Sequence, residues 1–199
     1  MNSWHFGDVR VDRILEFEGP LLPPQQLFPT STTGAIDRHR HWLEPRLLDP
    51  SSGLLIIAFH SFLIRSQGLT ILVDTCGGND KPRPQKLRYH MGRWPYLENL
   101  ARIGIAPEDV DYVLCTHLHV DHVGWNTRLV EGRWVPTFPR AKYLFAHLEW
   151  DYWREHYRTP TFTDDPYYID SILPVIEGGQ PAFVETEYVF NADVWLEPT

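Results

Sequence analysis

Cysteine is nearly missing from this chain: Cys76 and Cys115 are the two among 199 residues. That excludes a disulfide framework and predicts reduced thiols. Both end apolar runs, where a cysteine is usually a small buried hydrophobe. Positive charge is also short. Lys and Arg total 18 against 26 Asp and Glu, a net charge of -8, so the electrostatic footprint of a nucleic-acid binder is absent and no nucleic-acid partner is expected. No apolar run reaches membrane-spanning length. The N-terminus, "MNSWHFGDVRVDR", has no basic segment followed by an apolar core. The expectation is therefore a cytoplasmic protein with no membrane partner.

What remains is ordinary for a globular chain, with 43% hydrophobic and 22% charged residues. Residues 1–199 are read as one domain by size. Eight Trp within a 14% aromatic share suggest an apolar cleft or an interface. Asp8 to Glu18 reads as a strand, and "GPLLPPQQLFPTSTTG" as an irregular Pro-rich loop. In "LLIIAFHSFLIRSQGLTILVD", two β-rich runs flank Ser66-Gln67-Gly68, a hairpin signature. A loop rich in Gly and Pro follows, carrying Lys81, Arg83, Lys86, Arg88 and Arg93. It reads as a solvated charge run, or as a grip on an anionic substrate.

"YLENLARIGI" places Leu97, Leu100, Ala101 and Ile103 on one face and stops at Gly104, as a helix does. "DVDYVLCTH" reads as a short buried strand, "AKYLFAH" as a strand and "LEWDYWREHY" as a helix. "PYYIDSILPVIEGG" is helical but broken at Pro174. "AFVETEYVF" and "DVWLEP" are strands. No repeat or linker is evident, and the order predicts a mixed α/β architecture.

"THLHVDHVGW" carries the chemistry. His117, His119, Asp121 and His122 fall within six positions at the end of a buried strand. Zinc and its neighbours take imidazole nitrogen and carboxylate oxygen in a compact shell. In an extended segment residues two apart share a side, so His117 and His119 can face one ion. Asp121 and His122 lie past the strand edge, where the chain is expected to turn toward a helix, and can face a second. Two ions roughly 3.5–4 Å apart can clamp one substrate oxygen.

These residues resemble the His-x-His-x-Asp-His signature of the metallo-β-lactamase superfamily. "ILVDTCGGNDK" resembles that fold's earlier motif, in which an Asp closes a strand. The run through "PTFPRAKYLFAHLEW" is similar to its lactonase-like and methyl-parathion-hydrolase-like branch. The resemblance implies an αββα sandwich with a di-zinc site at the sheet edge. It implies His117 and His119 as ligands of one ion, and Asp121 (also the catalytic carboxylate) and His122 as ligands of the other. Asp74 would support the ligand loop.

The family draws further ligands from downstream: a third His in a Gly-His turn, a bridging Asp and a last His. After His122 only His147 and His156 remain, neither in such a turn. The chain is thus expected to be an N-terminal portion, with an incomplete sandwich and site. His147 is a substitute ligand or a polar strand end, and His156 lies on a helix face. His39 and His41 are surface residues, and His60 belongs to core or cleft. Trp94, Trp125, Trp150 and Trp153 wall a substrate pocket or pack a core, with Trp125 and His147 the foremost pocket candidates.

The implied function is hydrolysis of esters, lactones or related small molecules by a metal-activated hydroxide, weak or absent in this chain alone. The alternatives are glyoxalase II-like thioester hydrolysis, β-lactam or sulfate-ester hydrolysis, a nuclease disfavoured by charge, and a non-catalytic binding module that keeps the ligand loop. Expected partners are a small-molecule substrate and, through uncovered apolar faces, further copies of the chain.

Overall fold

A computed structural model describes residues 2–86, 88–158 and 166–198. Eleven strands are present among them: β1 (Ser3–Phe6), β2 (Val9–Leu22), β3 (Leu55–Ser66), β4 (Leu69–Val73), β5 (Tyr112–Leu114), β6 (Thr127–Val130), β7 (Arg133–Pro136), β8 (Lys142–Ala146), β9 (Pro181–Val184), β10 (Tyr188–Val189) and β11 (Trp195–Leu196). The helices are α1 (Pro24–Leu27), α2 (Thr33–Leu43), α3 (Tyr96–Arg102), α4 (His147–His156) and α5 (Leu173–Glu177). The fold is mixed α/β, as the sequence pattern predicts.

By its internal contacts the chain forms two compact units, Met1–Glu16 with His60–Thr199, and Phe17–Phe59. The smaller unit holds α1 and α2 with the adjoining lengths of β2 and β3. The Phe17 and Phe59 rings stack there at 6.2 Å. Helix α2 is capped by Thr32, whose side chain accepts from Ala35 N, and buries none of its residues. His39 and His41 lie exposed on it. Its lack of an apolar stripe explains why periodicity does not reveal it.

The large sheet has the order β1-β2-β3-β4-β5-β8-β9. Strands β3 and β4 form the expected antiparallel hairpin, with Ser66 opposite Leu69. Its two turn residues, Gln67 and Gly68, both have positive φ, at 50° and 79°, which suits the right-handed strand twist. Strands β4, β5, β8 and β9 run parallel. Ile71, Leu72, Val113 and Leu144 are fully buried within them, as strands covered on both faces must be. Parallel strands bring their C-terminal ends to one edge. Asp74, the segment from Thr116 to His122, and His147 all leave the sheet there.

Three features depart from expectation. The Pro-rich stretch after Glu18 is not an irregular loop throughout, since β2 runs to Leu22 and α1 covers Pro24–Leu27. After His122 the chain makes a single 3₁₀ turn, Gly124–Asn126, rather than a helix, and enters the β6–β7 hairpin. The basic loop is also not simply solvated. Lys81 and Arg83 are fully buried. Arg83 donates both terminal nitrogens to Asp170, at 2.6 and 2.7 Å. Lys81 Nζ donates to Thr127 Oγ1 and to the Asp170 carbonyl, over the Trp134 ring. Burial pushes Lys81 down to about 7; the Asp170 charge opposes the fall and Arg83 adds to it. Neither cation is available to a substrate. Pro174 falls in the first turn of α5, after an irregular turn over Tyr168–Ile172.

Candidate metal centre

Burial alternates along the motif, which leaves β5 through bends and a turn. Leu118 and Val120 point into the core, whereas His117 is half-buried and His119 exposed. The apolar positions anchor the segment and turn the imidazoles outward. The His117 ring centroid lies 4.6 Å from that of His119 and 3.9 Å from that of His122. All three imidazoles, 117, 119 and 122, are therefore brought together. Burial lowers the pKa of His117, and the neighbouring imidazoles His122 and His119 lower it further. A neutral ring is the form that binds metal.

Asp74 ends β4 with φ at 57°, in the left-handed region. Its carboxylate accepts from Thr116 N at 2.8 Å and from Thr116 Oγ1, and Oδ2 lies 2.8 Å from His122 Nδ1. Burial acts against the charged form of His122, but the Asp74 hydrogen bond and charge prevail and its pKa rises. Beside a carboxylate, Nδ1 carries the proton. That leaves the Nε2 lone pair facing Asp121, whose Oδ2 is 3.9 Å away. Two donors sharing one zinc ion at about 2.0–2.2 Å each sit about 3.4 Å apart.

These donors suit a divalent cation in chemistry, as pairs. No group of three or more His, Cys, Asp or Glu side chains converges into a closed cage among the described residues. His147 leaves β8 at the same sheet edge but is exposed, with its ring 5.4 Å from Phe183. His156 stacks on Tyr152 along α4. Trp125 is 4% exposed and stacks on Tyr96 at 5.3 Å, so its face meets the core, not solvent. Trp153 stands edge-on to His119 at 5.5 Å. Both cysteines are free and buried, and burial raises both thiols, so neither is poised as a nucleophile.

Three acidic or phenolic groups at the site carry no spacing signal in the sequence. Glu149 of α4 accepts from Leu118 N at 2.9 Å and from Trp153 Nε1 at 3.0 Å, gripping the motif between its first two histidines. The buried Tyr89 hydroxyl bonds to Asp121, while burial drives its pKa up. Glu16 of β2 accepts from Gly77 N, Gly78 N and Trp125 Nε1. Burial pushes Glu16 up to about 7, against the pull of those three donors. The loop after β4 and the motif are also joined by backbone: Thr75 N donates to His122 O, Gly124 N to Cys76 O and Trp125 N to Thr75 O, at 2.7–2.8 Å.

Comparison with known proteins places this geometry in a family. Residues 60–188, more than half of the chain, match the model of the metallo-β-lactamase superfamily. "Metallo-beta-lactamase domain-containing protein 1" of Xenopus laevis is 37% identical over 89 residues, 45% of this chain and 28% of that protein. The N-acyl homoserine lactonase AiiB of Agrobacterium fabrum is 29% identical over 96 residues, 42% of this chain and 34% of that one. The chain thus spans about a third of the length of the curated relatives it matches. Among solved structures, a "probable metal-dependent hydrolase" from Staphylococcus aureus superposes with a TM-score of 0.73 at 16% identity, covering 96% of this chain and 64% of that one. AidC, a dizinc quorum-quenching lactonase, gives 0.67 at 15%, covering 95% and 62%. With the ligand loop at the sheet edge and a family match over most of its length, the chain belongs to the metallo-β-lactamase superfamily.

Proposed function

We propose that this chain carries the ligand loop of a metal-dependent hydrolase in the lactonase-like branch, acting on esters, lactones or related small molecules. The carrying observation is the packing of His117, His119 and His122, with His122 held by Asp74 at 2.8 Å. The lactonases among its relatives support the substrate class. In this reading His117 and His119 hold one zinc ion, and Asp121 and His122 the other. A bound cation would supply Lewis acidity and lower the pKa of water beside it.

The residues of the chain do the rest. Asp74 keeps the proton of His122 on Nδ1. Tyr89 holds Asp121 by its hydroxyl. Glu149 fixes the backbone between His117 and His119 and sets Trp153 against His119, where an apolar substrate group would lie.

A second reading is a binding module that holds metal weakly and does not turn over substrate; it is favoured because no three donors converge among the described residues. Zinc per chain after dialysis, with hydrolysis of an N-acyl homoserine lactone and an aryl ester, separates the two. The expected result is retained zinc and slow hydrolysis, both lost in a His117→Ala, His119→Ala double variant. Zinc retention without hydrolysis selects the binding module. A double variant equal to the wild-type chain in both measurements removes the metal reading.

A further inference from the structure

Strand β2 contributes an acid that the ligand assignment does not use. Glu16 is 4% exposed, although carboxylates are seldom buried without partners. Its Oε1 accepts from Gly78 N and from Trp125 Nε1, both at 2.8 Å, and Oε2 from Gly77 N at 3.0 Å. These donors come from both arms of the candidate centre. Gly77 and Gly78 lie just after Asp74, and Trp125 lies three residues after His122.

The arms meet with no side chain between them. A Cβ on Gly124 would stand 2.0 Å from the Gly77 carbonyl carbon, and one on Gly78 would stand 2.7 Å from that of Gly124. Backbone contact this close leaves no room for a side chain between Gly77–Gly78 and Gly124, and hydrogen bonds join the two arms there. Stacking on Tyr96, whose hydroxyl bonds Ser61, fixes the Trp125 ring with its N–H toward Glu16.

We propose that Glu16 is a positioning residue for the metal centre, a buried carboxylate that clamps the Gly77–Gly78 turn to Trp125 and thereby sets Asp121 and His122 against Asp74. The proposal rests on the metal-hydrolase reading. Among the described residues Glu16 bonds to Gly77, Gly78 and Trp125 rather than to an expected ligand; it acts through the arms that carry the ligands. Ionised at pH 8, above its pKa of about 7, a carboxylate suits the task because both oxygens accept and neither donates. Filling space alone would be served equally by glutamine. A clamp would not be, since the glutamine NH₂ must face either Gly77 N–H or the Gly78 and Trp125 donors. At least one bond is then lost at constant volume.

The test, at pH 8, uses the purified chain with Glu16→Gln, Glu16→Ala, Trp125→Phe and the His117→Ala, His119→Ala variant. Near-UV circular dichroism of the metal-free proteins isolates the Trp125 band, as wild type minus Trp125→Phe. Zinc affinity is read by competition with a chromophoric chelator. The expected result is that Glu16→Gln unfolds cooperatively, loses the Trp125 band and binds zinc about tenfold more weakly. Glu16→Ala should bind it 10–100-fold more weakly, the range found when groups that orient metal ligands are removed. Should Glu16→Ala fail to fold, Glu16→Gln decides, because its volume is unchanged.

Zinc binding that needs His117 and His119 but is indifferent to Glu16→Gln, with the Trp125 band intact, overturns the clamp and leaves the metal reading standing. A wild-type chain that binds zinc no better than the double-histidine variant overturns both.

Discussion

The Asp74 carboxylate decides which nitrogen of His122 can face a cation. With Oδ2 at 2.8 Å from Nδ1, the proton stays on Nδ1 and Nε2 is free. Asp74→Asn keeps the shape and tolerates the left-handed backbone, which Asn adopts readily. Its amide, however, presents N–H to Nδ1 and drives the proton onto Nε2. Zinc affinity should fall 10–100-fold with little loss of fold, checked by chelator competition beside a urea melt; unchanged affinity would make Asp74 only a strand end.

Glu16 gives a pH signature at the same scale. Its folded pKa of about 7 lies above the ordinary 4.5, so the folded state binds the proton more tightly than the unfolded. Its contribution is whole below pH 4.5 and is lost as pH rises through 7, up to about 3 kcal/mol. Between pH 5 and 8, urea stability should fall more steeply for wild type than for Glu16→Gln. Equal slopes would show that Glu16 does not titrate in this range. The histidines and Asp121 are legible in sequence because their spacing matches the chemistry. Glu16 and Glu149 are not, because a lone acid in a strand or helix acquires meaning only when distant chain folds onto it.

Elements show the same division. The β3–β4 hairpin can be read because Gln67-Gly68 supplies the positive φ that its turn needs. The β6–β7 hairpin turns on Glu131-Gly132 with φ of 49° and 78°, a weaker form of the same signal, and it escapes notice beside the metal motif. The loop from Lys81 to Arg93 misleads for a different reason. Its first two cations are both paired with the single acid Asp170, 87 residues from Arg83 in the chain, and no local pattern announces that pairing.

Such a cluster is most sensitive at its one acid. Asp170→Asn would strand the buried Arg83, which keeps its proton, while Lys81 retains its bonds to Thr127 and the residue 170 carbonyl; removing one partner of a buried pair costs about 3–5 kcal/mol. The loss should appear as a lowered urea midpoint, with the β6–β7 hairpin and the loop freed together in amide exchange. A loss below about 1 kcal/mol would show that the cations find water or other partners.

At the scale of the whole molecule, charge and apolar surface act against each other. Phe6, Val9, Val11 and Ile64 line an open groove of about 560 Å³ with Ala192, Asp193, Val194 and Trp195. Phe6 is 66% exposed and Trp195 53%. Apolar surface of this kind favours association, while a net charge of -8 keeps copies apart. The acid in the groove, Asp193, accepts from Gln67 Nε2 at 2.8 Å, a neutral donor that leaves its charge to add to that repulsion. Salt at 0.5 M or so shortens the Debye length to a few ångströms and removes the long-range term, yet leaves apolar burial intact. Self-association should therefore strengthen with added NaCl. Light scattering over a concentration series at low and high salt measures it, and a Phe6→Ser, Trp195→Ser variant should return the chain to monomer in both. Association that weakens with salt would mean that ion pairs join the copies, and association that survives the double variant would place the contact on another face.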